Sequence, residues 1–206
     1  METKKIPVTV YVEMTPNPST MKFVADKLLV ENGATVEYTD PDQPMDSPLA
    51  QRLFNFPFIS GIFIASNFIT LTKNDLVEWE DIMLEVREYI TQYLVSGKAV
   101  FNQQPSTTQH ASSQEEENFI PLESTPANAR EEKIVNILEE YIRPAVEGDG
   151  GAIHFKSFEV ETGVLTVVLR GACSGCPSST VTLKQGIQGL FNQMMPEVKE
   201  VVAEEL

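Results

Sequence analysis

Residues 151–179 read GAIHFKSFEVETGVLTVVLRGACSGCPSS. Two runs rich in β-branched and aromatic residues, 153–160 and 164–169, flank Glu161-Thr162-Gly163, which predicts an antiparallel hairpin. After the hairpin come Gly171-Ala172-Cys173-Ser174-Gly175-Cys176-Pro177-Ser178-Ser179 and a helix to about residue 195, closed by Pro196. Upstream, Ile134, Ile137, Leu138, Tyr141 and Ile142 make one helical face that Pro144 ends or kinks. Gly148-Asp149-Gly150-Gly151 makes a tight turn, with Asp149 as a turn residue. A last strand is expected at 198–203. The order α-β-β-α-β over residues 130–206 is that of a small α+β domain.

Working outward, the composition changes before this domain. Residues 97–129 read GKAVFNQQPSTTQHASSQEEENFIPLESTPANA, rich in Gln, Ser, Thr, Pro and Glu. Almost no apolar periodicity is present, so the segment cannot bury enough surface to offset its ordering entropy and is expected to be a disordered, flexible linker. Residues 6–96 form a second domain. Val8, Val10 and Val12 alternate with polar residues as in a strand, and 20–25 and 28–30 read as further short strands. Ser47 as N-cap and Pro48 at the first helical position open a short helix to residue 54. Residues 59–65 and 68–71 read as a hairpin around Ser66-Asn67. Asp75 with Glu78 is expected to cap a helix whose apolar face is Trp79, Ile82, Met83, Val86, Ile90, Tyr93 and Leu94. The fold class is therefore α+β, as two small mixed domains joined by a linker.

Composition removes several functions. The chain of 206 residues carries 15 Lys+Arg against 30 Asp+Glu, a net charge of −15. Such a balance opposes binding to nucleic acid or an anionic membrane surface, because both need cations to neutralise phosphate. The uncharged stretch 53–72 is long enough to span a bilayer, but Pro57, Gly61 and its Ser, Asn and Thr residues break it, so no membrane segment is expected. Two cysteines are too few for a secreted disulfide framework. The first twelve residues lack a signal or transit pattern, and the expected location is cytoplasmic. No nucleophile–base constellation, P-loop or dinucleotide fingerprint is present, so a binding protein is expected rather than an enzyme.

The chemistry lies in Cys173-x-x-Cys176, which contains both thiols of the chain. Two thiols at this spacing in a turn can face one centre, as half of a soft-metal site. The helix that follows directs its N-terminal dipole at the loop and favours thiolate. Three readings compete: a metal site, a thioredoxin-like redox pair, and an inert or disulfide pair. The redox reading is weakened because such a pair sits early in a larger domain, whereas this one lies late in a small one. A structural zinc site needs four ligands, and His110 in the linker and His154 heading a strand are poorly placed to complete one. A 4Fe–4S cluster wants four thiolates, and one chain supplies two. Two chains supply four, which predicts a labile cluster bridging a homodimer. Arg143 and Arg170 are candidates for offsetting cluster charge, with surface ion pairs the plainer role.

At these residues the chain resembles a known family. Ile142-Arg143-Pro144-Ala145-Val146, Gly148-Asp149-Gly150-Gly151 and Gly171 through Thr180 are similar to the C-terminal domain of NifU-like (Nfu-type) iron–sulfur cluster scaffolds. Thr15-Pro16-Asn17-Pro18, Met21-Lys22-Phe23, Ser47-Pro48-Leu49-Ala50 and Phe68-Ile69-Thr70 resemble the Nfu N-terminal domain. The resemblance implies a carrier that receives an iron–sulfur cluster from upstream assembly proteins and passes it to apo-proteins, with Cys173 and Cys176 as cluster ligands. The N-terminal domain, which has no cysteine, would then recognise a client or partner. The alternative kept open is a thiol–disulfide oxidoreductase using the same pair.

Overall fold

The computed structural model describes residues 7–31, 33–42, 46–105, 126–174 and 177–205, with backbone alone at 177–179 and 205. The chain divides into two units, Met1–Gln109 and His110–Leu206. Both are mixed α and β, as expected. No helix among the described residues is long and apolar enough to cross a membrane.

The first unit is built on a five-stranded antiparallel sheet. Its strands are β1 (Val10–Met14), β2 (Thr20–Ala25), β3 (Thr35–Tyr38), β4 (Ile59–Ala65) and β5 (Phe68–Lys73), in the spatial order β1-β2-β5-β4-β3. The hairpin of β4 and β5 turns at Ser66-Asn67, pairing Ala65 with Phe68 and Ile64 with Ile69. Ser66 adopts φ of 44°, the left-handed conformation that a two-residue hairpin turn demands. Helix α1 (Pro48–Leu53) starts as its sequence predicts: Ser47 Oγ accepts a hydrogen bond from the Ala50 amide at 3.1 Å, and Pro48 occupies the first turn. Helix α2 (Trp79–Val95) buries Trp79, Ile82, Val86, Ile90, Tyr93 and Leu94. These join Phe23, Leu49, Leu53, Ile64, Ile69 and Leu71 in one core.

Three expectations for this unit are corrected. Residues 28–30 form no strand; the Leu29 and Val30 amides instead donate to the Ser66 carbonyl at 2.7 and 3.0 Å. That contact buries both side chains while leaving the sheet position to β3, whose four residues are too short a pattern to stand out. Asp75 does not cap α2. Asn74 Oδ1 accepts from the Leu76 amide at 3.1 Å in a local turn, and the helix begins at Trp79 behind Glu78, with no side-chain cap. The packed chain also runs past residue 96. Phe101 is buried in the core, Ser47 Oγ donates to the Val100 carbonyl at 2.7 Å, and the Asn102 amide donates to Asp46 at 2.8 Å. Most of the expected linker, residues 106–125 with His110, lies outside the described residues.

The second unit opens at α3 (Ala129–Ile137), where Asn128 Oδ1 accepts from the Arg130 and Glu131 amides at 3.0 and 3.1 Å. Pro144 kinks the helix and does not end it. Proline has no amide to donate and its ring crowds the carbonyl four residues back. The chain widens to a π-helical turn over Leu138–Ile142, with the Arg143 amide on the Leu138 carbonyl, and continues as α4 (Arg143–Gly148). The wider turn carries Tyr141 out of the apolar face, and it is 47% exposed.

Strands β6 (Gly151–Glu159) and β7 (Val164–Gly171) form the expected antiparallel hairpin, bulged between Phe155 and Ser157. Helix α5 (Pro177–Met194) crosses over to β8 (Glu200–Glu205), which lies parallel to β7, so the three-stranded sheet has the order β6-β7-β8. Ile153, Phe155, Leu165, Val167, Leu169 and Val201 face Ile134, Ile137, Ile187 and Phe191 in a single core.

Candidate functional site

The cysteine loop leaves the end of β7 and enters α5. Gly171, at φ of 63°, turns the chain out of the strand in a conformation that L side chains disfavour. Ala172 follows, buried, and its amide donates to the Gly150 carbonyl at 3.2 Å. The Ser174 amide and Oγ both donate to the Gly171 carbonyl, at 3.1 and 2.9 Å, closing a turn around Cys173. From the first turn of α5, Thr180 Oγ1 donates to the Cys173 carbonyl at 3.4 Å. Strand end, turn and helix start are thereby tied to each other through the cysteine's own backbone.

Cys173 itself is 4% exposed and packs in the core of the second unit. Cys176, with Gly175, lies outside the described residues. Of the two expected ligands, the structure therefore places one, on the buried side of the loop. Among the described residues no group of three or more His, Cys, Asp and Glu side chains could hold a metal ion.

The other side chains singled out from the sequence fall as follows. His154 is buried, on the strand face opposite Ile153 and Phe155, and so points away from the core that holds Cys173. Arg143 forms an ion pair with Glu139, one helical turn earlier, which is the plainer of its two expected roles. Arg170 pairs in register with Ala152 and shares the face of His154. Asp149 is a turn residue after α4, its amide donating to the Ala145 carbonyl at 3.0 Å. Trp79 is core, edge-on to Phe23 at 6.2 Å between ring centroids.

One residue at the site was missed by sequence reasoning. The sequence predicts a turn at Gly148-Asp149-Gly150-Gly151, and in the structure that turn forms the wall against which the cysteine loop packs. Gly150 has φ of 83° and presents its carbonyl to Ala172. Gly151 has no such backbone need, yet a Cβ placed there would lie 2.6 Å from the Arg170 carbonyl oxygen and 2.7 Å from Cys173 Sγ. The signal available in the sequence was a second glycine entering a strand, where a side chain would ordinarily be favoured.

With this geometry in place, comparison with known proteins becomes informative. Residues 10–97 match the family model described as the N-terminal domain of scaffold protein Nfu/NifU, and residues 134–202 match the NifU-like domain. The chain is 34% identical to NifU-like protein 5, mitochondrial, of Arabidopsis thaliana, over 95% of this chain and 67% of that protein. It is 32% identical to the human NFU1 iron-sulfur cluster scaffold homolog, mitochondrial, over 91% of this chain and 68% of that one. A solution NMR structure of a NifU-like protein from Saccharomyces cerevisiae aligns at 24% identity and a TM-score of 0.44, covering 50% of this chain and 92% of that chain. The chain thus spans about two thirds of the length of the curated relatives it matches.

These relatives correct the expected location. The Arabidopsis and human proteins are both named mitochondrial, which overturns the cytoplasmic expectation. That expectation came from the residue types of the first twelve positions and from the low cysteine count, and a thiol-preserving interior is not unique to one compartment. The two family models and the relatives, which between them cover nearly all of the sequence, agree: the chain belongs to the Nfu/NifU-type scaffold family.

Proposed function

We propose that the protein is an iron–sulfur cluster carrier rather than an enzyme. Its cargo is a labile 4Fe–4S cluster held between two subunits, with Cys173 and Cys176 of each chain as the four thiolate ligands. The observation that carries the reading is the two-cysteine loop itself. Cys173 sits in a backbone-tied turn between a strand end and the start of an 18-residue helix, with the second thiol three residues on. The positive end of α5 favours an anionic cargo at that loop.

Delivery then needs no redox step. A client thiol loses its proton and binds iron as the bond from iron to Cys173 or Cys176 breaks, and the departing carrier thiolate takes up a proton. Repeating the exchange moves the cluster intact from carrier to apo-protein, and the reverse sequence loads it from an upstream assembly protein. Two ligands per chain make such exchange easier than four would, because separating the two chains already opens half the coordination. The first unit, without cysteine, serves to recognise a client or an assembly partner. Relatives named as cluster scaffolds favour this reading over a thiol–disulfide oxidoreductase.

Anaerobic reconstitution with iron and sulfide tests the proposal. The expected result is about four iron and four sulfide for every two chains, with broad visible absorption. Iron or zinc bound without sulfide, or insulin-reducing activity from a colourless protein, would point instead to a metal-holding adaptor or to the oxidoreductase.

A further inference from the structure

Gly151 lies in the first position of β6, directly paired with Gly171, at the edge of the core that encloses Cys173. Its φ is not among the positive values that mark Gly150, Gly163 and Gly171, so the backbone there does not itself demand glycine. Glycine in a strand is unfavourable unless another group must come close. Here two groups do. A Cβ on Gly151 would fall 2.6 Å from the Arg170 carbonyl oxygen, 2.7 Å from Cys173 Sγ and 3.1 Å from Cys173 Cβ. The first two separations are shorter than real Cβ contacts allow, and the atoms concerned are a strand backbone and a short side chain with little room to move. Gly148, three residues earlier in the same glycine-rich turn, differs sharply: a Cβ there would meet nothing within 4 Å.

We propose that Gly151 is a positioning residue for Cys173, keeping open the space in which its thiol rests when no cluster is bound. The thiol of Cys173, a residue 4% exposed, lies where a methyl group on residue 151 would crowd it. The geometry stands without any assumption about cargo. Its consequence rests on the carrier reading: a ligand shared with a second chain must reach the surface, so loading draws Cys173 out of this space and unloading returns it. Gly151 then governs how readily the resting thiol is exposed to solvent and oxidants.

The test uses thiol labelling of the cluster-free full chain, so that it reads independently of cluster chemistry. The chain has two cysteines, and Cys176→Ser leaves Cys173 as the sole target. In folded Cys176→Ser protein, a small maleimide is expected to react at least about tenfold more slowly than with the same chain unfolded in denaturant. Adding Gly151→Ala is expected to raise the native rate about tenfold or more, with a cooperative thermal transition retained; adding Gly148→Ala instead is expected to leave the rate unchanged. Equal rates with and without Gly151→Ala in folded protein would overturn the proposal. Should Gly151→Ala fail to fold, the Cys176→Ser protein decides alone. A labelling rate that rises only as denaturant opens the second unit supports the resting position, and one already at the unfolded value in buffer overturns it.

Discussion

The two units differ in what surrounds their loops. In the first, loops are pinned by side chains. Ser47 caps α1 and also reaches the Val100 carbonyl, Tyr38 donates to Asp46, Tyr93 donates to the Ala99 carbonyl at 2.7 Å, and Asn67 donates to the Ala25 carbonyl at 2.9 Å. In the second, the loop with the chemistry is held by backbone and side chains together: the Ala172 amide donates to the Gly150 carbonyl, and Ser174 Oγ and Thr180 Oγ1 donate to the Gly171 and Cys173 carbonyls. Gly150 and Gly171 supply the turns and the accepting carbonyls, and Gly151 contributes only the absence of a side chain. A loop pinned by several side chains keeps one shape with or without a ligand. On the proposed carrier role, the loop framed by Gly150, Gly151 and Gly171 must open for Cys173 to reach a shared cluster.

The contrast breaks most completely at the thiols. On the proposed ligation, replacing Cys173 or Cys176 by Ser would remove two of four thiolates from every pair of chains, and stable cluster loading is expected to be lost entirely. The thermal transition of the first unit should not move. A Cys176→Ser protein that keeps a full cluster through gel filtration would end the ligand assignment. Next in size is the first core. Leu53→Ala removes a fully buried side chain of that unit and is expected to cost about 2–5 kcal/mol in denaturant unfolding, with cluster loading unaffected. A parallel loss of loading would mean the units are not energetically separate.

Ser47→Ala sharpens the comparison at a smaller scale. The hydroxyl is fully buried, accepts from the Ala50 amide and donates to the Val100 carbonyl. Losing the cap and the tie to the chain after α2 is expected to cost about 1–2 kcal/mol. No change in unfolding midpoint would show that the side-chain pins are ornamental.

The smallest effect is in pH. Burial, and then the hydrogen bond to Asp46, raise the Tyr38 hydroxyl well above the ordinary tyrosine value. The folded state therefore holds this proton more tightly than the unfolded chain. The resulting stability is complete below about pH 10 and is lost as pH rises past it, because only the unfolded chain releases the proton there. Unfolding midpoints measured on either side of that pH should fall on the alkaline side, and Tyr38→Phe should flatten the decline. An unchanged slope in the variant would place the effect elsewhere.

How much of this could be read from the sequence follows the same division. Side-chain signals were legible: Ser47-Pro48 marked the start of α1, Ser66-Asn67 marked the β4–β5 turn, and Cys173-x-x-Cys176 marked the loop. Features that depend on packing were not. The strand β3 is four residues, and the apolar pair Leu29-Val30 competed with it as a more obvious run. The parallel pairing of β7 with β8 follows from the crossover through α5 and leaves no local pattern. Pro144 signalled a disturbance, but only the ladder of α3 decides whether the helix stops or widens into a π-turn. Gly151 was hidden for the same reason: its role is an empty space, and the neighbours that need it, Arg170 and Cys173, lie about twenty residues away in the chain.

The proposed function turns on one cluster shared by two chains. Native mass spectrometry of the anaerobically reconstituted protein tests it most directly. The expected species is two 22.9 kDa chains carrying one cluster of about four iron and four sulfide, which collapses to single chains when the cluster is removed. A complete cluster on a single chain, or a pair of chains that persists unchanged after the cluster is removed, would contradict it.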